Sequence, residues 1–217
     1  MSDPRNNLEI LRHSTAHLLA AAVEELYPGV KLGIGPVIEH GFFYDFEFPQ
    51  PVTTTALTRI EQKMRSLAKR QISYVRKEMG LDEAIAFFKS RNQDFKVELL
   101  QNLKERGTTA VSVEEKSDVG ENPSVASIYE TGKFVDLCRG PHIANTDKLG
   151  AFKLTHLAGA YWRGSEKNKM LTRVYGLAFA TQEELDAHVA MLKEAERRDH
   201  RKLGKELKLF TFSDLVG

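Results

Sequence analysis

The stretch Phe134-Val135-Asp136-Leu137-Cys138-Arg139-Gly140-Pro141-His142 constrains this chain more than any other. An apolar run rises to an acid and then to the only cysteine. A Gly-Pro turn follows, and Gly-Pro ends a regular element. Asp136, Cys138 and His142 therefore fall at a strand end and on the turn beyond it. Alternation puts Asp136 and Cys138 on one strand face. A thiol and an imidazole at this spacing can share one metal ion, one water or one substrate. Alone, the pair reads first as a small buried cysteine beside an unrelated turn histidine, so other parts of the chain must decide.

Composition narrows the classes. The 217 residues suffice for one large domain or two small ones, and 41% apolar with 28% charged residues is ordinary for a globular protein. A net charge of +1 gives no global basic signal, so any nucleic-acid surface must be local. One cysteine excludes an internal disulfide and fits a reducing, cytoplasmic setting. Met1 to Asn7 lacks an apolar core, so no secretion signal is expected, and no stretch is apolar enough to span a bilayer.

Residues 7–27 read as a helix with Leu8, Leu11, Leu18, Leu19, Ala22 and Leu26 on one stripe, stopped by Pro28-Gly29. His13 and His17 are four residues apart and share a face roughly 140–180° round from the Leu8/Leu26 line. Ser14, Ala20 and Ala21 on that side are small, so another element can approach closely.

Residues 30–48 suggest a hairpin whose second strand, from Phe42 to Phe48, alternates aromatic with polar. Tyr44 and Asp45 are its polar members that could face a cleft. Gly33-Ile34-Gly35 lacks the third glycine and helix of a dinucleotide fingerprint. A helix over 54–70 follows, with the threonines Thr53 to Thr55 available as caps. A strand from Ile72 to Met79, a short helix capped by Asp82, and a helix from Lys96 to Gly107 come next. Thr109 to Glu114 reads as a strand and Gly120 to Pro123 as a loop. A hairpin turns at Thr131-Gly132 and ends in the opening motif. Two more strands lie in 151–180. Thr181-Gln182-Glu183-Glu184 is a capping box that starts a long helix. That helix turns basic at Arg197, Arg198, His200, Arg201, Lys202, Lys205 and Lys208.

Two pairs stand out, His13 with His17 and Cys138 with His142. Three imidazoles and a thiolate form a legitimate tetrahedral zinc set. Asp136 and Lys96 could give supporting or acid–base functions. The chemistry would be hydrolytic, an activated water attacking a carbonyl or phosphoryl group. A cysteine nucleophile with a histidine base is the rival.

Four segments together resemble the editing domain of bacterial threonyl-tRNA synthetase. They are His13-Ser14-Thr15-Ala16-His17-Leu18-Leu19, Ile34 to Ile38 with Gly41 to Asp45, Asp136 to His142, and Gly159 to Gly164. Glu196 to Lys205 is similar to the linker helix of that family. Alanyl-type editing domains are related, but the Cys-Arg-Gly-Pro-His wording favours the threonyl type. The resemblance implies an α+β fold: a mainly antiparallel sheet on the histidine-bearing helix. An editing domain would span 1–180, with its core at about 7–50 and 120–180. A small α/β insertion at about 50–120 would close over the site, and a linker helix would run over 181–217. It implies hydrolysis of seryl-tRNA(Thr). Serine and threonine differ by one methyl, which binding alone discriminates by only about 1–3 kcal/mol.

By the same resemblance His13, His17, Cys138 and His142 line the pocket. Lys96 positions water or stabilises an oxyanion, and Asp136 reads the seryl hydroxyl or amine. Tyr44 and Asp45 flank the terminal adenosine near Gly35, and Arg163 meets tRNA phosphate. Zinc at His13, His17, Cys138 and His142 is the alternative to an editing site that needs no cofactor, which is the expectation. The family's preceding small domain and its class II catalytic core are not recognisable here. An excised piece or a free-standing editing protein is expected, incapable of aminoacylation. The rival classes are a non-catalytic tRNA-binding module and a zinc-dependent hydrolase of another aminoacyl ester.

Overall fold

A computed structural model of the chain describes residues 4–107 and 124–198. The first helix, α1 (Pro4–Leu26), is followed by strands β1 (Lys31–Leu32), β2 (Val37–Ile38) and β3 (Gly41–Glu47) and by helix α2 (Thr55–Ala68). Strand β4 (Tyr74–Gly80) leads into helices α3 (Leu81–Ser90) and α4 (Asp94–Arg106). Strands β5 (Val125–Thr131), β6 (Phe134–Leu137), β7 (Ala151–Tyr161) and β8 (Met170–Phe179) precede helix α5 (Gln182–Arg197). The expected strand at 109–114, the loop at 120–123 and the basic residues from His200 onward lie outside the described residues, as does the linker helix beyond 198.

Helix α1 is the axis of the fold. Every residue from Ser14 to Val23 is buried, so the helix is covered on its histidine face as well as on its leucine stripe. Leu18, Leu19, Ala22 and Val23 enter the main core, and Leu11 and Leu26 lie partly buried at its margin. One antiparallel sheet, in the order β1-β3-β8-β7 with β2 also paired to β3, lies against this stripe. Its inner face presents Phe42, Tyr44, Phe46, Phe152, Leu154, Val174 and Ala178. The aromatic alternation of β3 is thus core packing, each large apolar side chain contributing about 1.5–3 kcal/mol by leaving water.

A second antiparallel sheet, β4-β5-β6, carries α3 and α4 on one face. Leu81, Ala84, Phe88, Leu100 and Leu103 of the helices pack there on Ala126, Ile128 and Val135. The fold is α+β. Residues 50–107 divide between two layers. Helix α2 places Ile60, Met64 and Leu67 in the main core, whereas β4, α3 and α4 build the smaller one.

Local chemistry explains most boundaries. The capping box at Thr181 is formed, its hydroxyl accepting from the Glu184 amide while the Glu184 carboxylate accepts from the Thr181 amide. Gly107 ends α4 at φ 72°, left-handed backbone that glycine adopts without strain. Asp82 does not cap α3. It lies inside the first turn, where its charge complements the helix dipole, and Gly80 occupies the cap position. Thr54 likewise stands at the cap of α2 without a side-chain bond. The first strand of the early hairpin is broken after Leu32, but the pairing continues through Gly33 N to Asp45 O at 2.8 Å and Asp45 N to Ile34 O at 2.9 Å.

Candidate active site

Helix α1 and the end of β6 meet across the histidine face. Cys138 Sγ lies 3.3 Å from His13 Nε2 and 3.3 Å from His142 Nε2. The His13 and His142 rings are 4.3 Å apart between centroids, and His17 and His142 are also 4.3 Å apart. Phe134 presses edge-on against the His17 ring, which is 3% exposed. The small residues of the helix permit this approach, as Ser14 is in direct contact with the turn that carries His142. Gly140 shapes that turn. Its φ is 72°, and a Cβ there would stand 2.2 Å from the Tyr129 hydroxyl.

A charged cluster adjoins the rings. Lys96 Nζ lies 2.5 Å from Asp136 Oδ1, with both side chains at most 3% exposed. The approach is close but off the hydrogen-bond line, since Oδ1 has no aligned donor. The Tyr44 hydroxyl donates to Asp136 Oδ2 at 2.5 Å and accepts from Lys96 Nζ at 3.2 Å. His17 Nε2 is 3.7 Å from Asp136 Oδ2, too far for a hydrogen bond. Lys96 reaches the cluster because α4 is clamped to β1. The Gln93 amide donates to Val30 O at 3.0 Å and accepts from Leu32 N at 2.8 Å. Phe95 packs on Trp162 on the same helix turn.

Burial sets the protonation states. It lowers His13, against the opposing pull of Asp136 and a bond to the Pro141 carbonyl. It holds His17 well below the usual imidazole range, with His13 and Lys96 adding to the effect. His142 is also driven far down by burial and then by His17 and His13. Tyr44 is pushed well above the phenol range by burial and by the Asp136 charge, so it keeps its proton. At neutral pH the three imidazoles are uncharged and can offer lone pairs.

His13, His17, Cys138 and His142 each provide a donor atom, and these atoms lie within 4.8 Å of one another. A tetrahedral zinc site needs donors about 3.3–3.6 Å apart, which the two sulfur–nitrogen contacts meet. His17 Nδ1 is buried with no hydrogen-bond partner, a polar atom that a bound group would satisfy. The donor set therefore fits zinc, and it fits a held water equally.

The other residues singled out from the sequence lie apart from this cluster or support it. Gly35 backs onto the Tyr44 ring, where a Cβ would come within 2.2 Å of Cδ2. Tyr44 is wholly buried and meets the pocket through its hydroxyl and through its ring, over which Lys96 Nζ lies 5.6 Å from the centroid. Asp45, the next residue along β3, faces the opposite side of the sheet. There it is held by Arg173, Nε to Oδ1 at 2.7 Å and Nη2 to Oδ2 at 2.8 Å. Arg163 sits on a tight turn at φ 53° with its Nε 3.2 Å from Glu98 Oε1. Sequence reasoning missed Gln93, Tyr74 and Tyr129. Only Gln93, a lone amide just before a helix, carried even a weak local signal.

The fold and pocket define a class before any particular relative: a histidine–cysteine site of the kind that holds a water or a metal beside a buried lysine. Residues 126–175 match the family described as "Threonyl and Alanyl tRNA synthetase second additional domain". The chain is 51% identical to the threonine--tRNA ligase of Geobacter sp. (strain M21) over 210 residues, 97% of this chain and 30% of that protein. It is 50% identical to those of Laribacter hongkongensis (strain HLHK9) and Anoxybacillus flavithermus (strain DSM 21510 / WK1) over 96% and 97% of its length. It spans about 30% of the length of these curated relatives. The chain is thus similar, over nearly its whole length, to a part of bacterial threonine--tRNA ligases that carries this additional domain.

Proposed function

We propose that this chain hydrolyses the ester of seryl-tRNA(Thr), acting as the proofreading part of a threonyl-tRNA synthetase. The observation that carries the reading is the placement of a buried Lys96–Asp136 pair directly beside three neutral imidazoles and a thiol. The coarser reading, a tRNA-related role within that synthetase, rests on the family match and the identity over nearly the whole chain.

The chemistry follows from the groups. A water held among His13, Cys138 and His142 attacks the ester carbonyl. Its proton passes to an imidazole, and the carbonyl oxygen becomes an oxyanion. His13 is the best base, because Asp136 and the Pro141 carbonyl oppose the lowering that burial imposes on it, and a base works best with its pKa near the working pH. Lys96 supplies positive charge to the oxyanion from a site that excludes water. Collapse of the tetrahedral intermediate breaks the bond to the ribose oxygen, which takes the proton back. Asp136 reads the seryl hydroxyl or amine, held for that task by Tyr44.

Zinc held by His13, His17, Cys138 and His142 would supply a Lewis acid, but no step above requires one. The parts of the chain take their roles accordingly, with editing in 1–180 and a linker in 181–217. Gly35 and Tyr44 back the pocket wall, whereas Asp45 and Arg163, buried against Arg173 and Glu98, support the fold rather than the substrate. The partners are serine-charged tRNA(Thr) and the class II catalytic domain, and the setting is the cytoplasm. Among the described residues no helix is long and apolar enough to cross a membrane. The test is release of serine from seryl-tRNA(Thr) by the chain and by His13→Ala. Release no faster than in buffer would leave a tRNA-binding module instead.

A further inference from the structure

We infer that Ser14 is a positioning residue that fixes the tautomer of His142. Ser14 is fully buried, and three polar groups converge on its oxygen. Oγ lies 2.8 Å from the Ile10 carbonyl, 3.1 Å from the Ile143 amide and 3.0 Å from His142 Nδ1. A hydroxyl carries one hydrogen and two lone pairs. Two oxygens 2.8 Å apart with no hydrogen between them repel, and the carbonyl has none to give. The Ser14 proton is therefore committed to Ile10 O. The Ile143 N–H donates to the hydroxyl and uses one lone pair. The His142 contact must then be accepted as well, so Nδ1 carries the ring hydrogen. Nε2 is left bare, facing Cys138 Sγ and the pocket.

The neighbouring rings hold His142 in this orientation. Tyr74 stacks on it at 5.1 Å and 12°, and Tyr129 meets it edge-on at 4.4 Å. The Tyr74 hydroxyl also donates to the Ser14 carbonyl at 2.8 Å, tying the stack to the same helical turn. A bare Nε2 is what a water-holding or proton-accepting imidazole needs, and equally what a metal ligand needs. Ser14 thus serves the site without touching substrate. This role in catalysis rests on the hydrolytic reading above, whereas the tautomer does not.

The test separates the two. In zinc-free protein with 15N-labelled imidazoles, His142 is identified by the signal lost in His142→Gln. At neutral pH its Nδ1 is expected to be protonated and its Nε2 unprotonated. In Ser14→Ala the ring is expected to shift toward the Nε2-protonated form, and kcat for deacylation to fall by roughly 10–100-fold with KM nearly unchanged. Tyr74→Phe removes a hydrogen bond to the same turn but not the tautomer's acceptor, and is expected to leave the His142 signals in place. A proton on Nε2 in the unsubstituted protein would overturn the inference, and that spectrum decides even where Ser14→Ala does not fold. An unchanged tautomer in folded Ser14→Ala would also overturn it. The expected tautomer without any deacylation would instead refute the hydrolytic reading alone.

Discussion

Lys96 Nζ and Asp136 Oδ1 stand 2.5 Å apart with neither side chain more than 3% exposed. Two charges this deeply buried are costly to bring out of water, and breaking such a pair leaves the survivor uncompensated at about 3–5 kcal/mol. Lys96→Ala is therefore expected to destabilise the fold by about that amount, read as a lower urea midpoint. The Lys96→Ala, Asp136→Asn double variant should recover part of the loss. A single variant as stable as the parent would show that the pair is not buried as described.

Acid should loosen the pocket. His13, His17 and His142 all have pKa values below the ordinary imidazole value in the folded chain. The unfolded chain binds protons near pH 6.5, where the folded chain does not. Stability is then complete above about pH 6.5 and falls as the pH drops below it, each fully suppressed site costing up to about 1.4 kcal/mol per pH unit. Urea midpoints at pH 7.5 and 5.5 check this. His17→Gln should flatten the difference, and equal midpoints in the parent would contradict the lowered values.

Gly35 and Tyr44 form one packing unit. A Cβ on Gly35 would meet the Tyr44 ring at 2.2 Å, so Gly35→Ala should displace the ring. Overpacking of this kind costs about 1–3 kcal/mol. Because the Tyr44 hydroxyl donates to Asp136, deacylation should fall with stability. Tyr44→Phe should lower activity while keeping the ring packed. Full activity in Tyr44→Phe would remove Asp136 orientation from its role.

The donor set invites metal, yet the chemistry proposed does not require it. Zinc should bind the purified chain, and Cys138→Ser should weaken that binding. Seryl-tRNA hydrolysis should survive exhaustive chelation. Activity lost to the chelator and restored by zinc would move the mechanism to the metal.

Asp136, Cys138 and His142 are legible in the sequence because a Gly-Pro turn marks where the strand stops, and strand alternation does the rest. The His13/His17 face is legible from helical spacing. What lies opposite it is not, because Ser14 meets His142 across 128 positions of chain. Tyr44 and Asp45 show the same limit at shorter range. As neighbours on a strand they face opposite sides, one toward Asp136 and one toward Arg173. The burial of α1 on both faces from Ser14 to Val23 is hidden for a related reason. A leucine stripe predicts one covered face, while the second cover comes from the strand and turn that carry Cys138. Lys96 reads from the sequence as the start of a helix, but its reach into the pocket depends on the Gln93 clamp to β1.

The central claim is discrimination by hydrolysis, and one comparison measures it most directly. Purified chain is mixed with seryl-tRNA(Thr) and, separately, with threonyl-tRNA(Thr), and the first-order loss of each ester is recorded beside Lys96→Ala. The expected result is rapid loss of the seryl ester, near-buffer rates for the threonyl ester, and a drop of about 100-fold or more in the variant. Equal rates for the two esters, or a Lys96→Ala variant as fast as the parent, would contradict it.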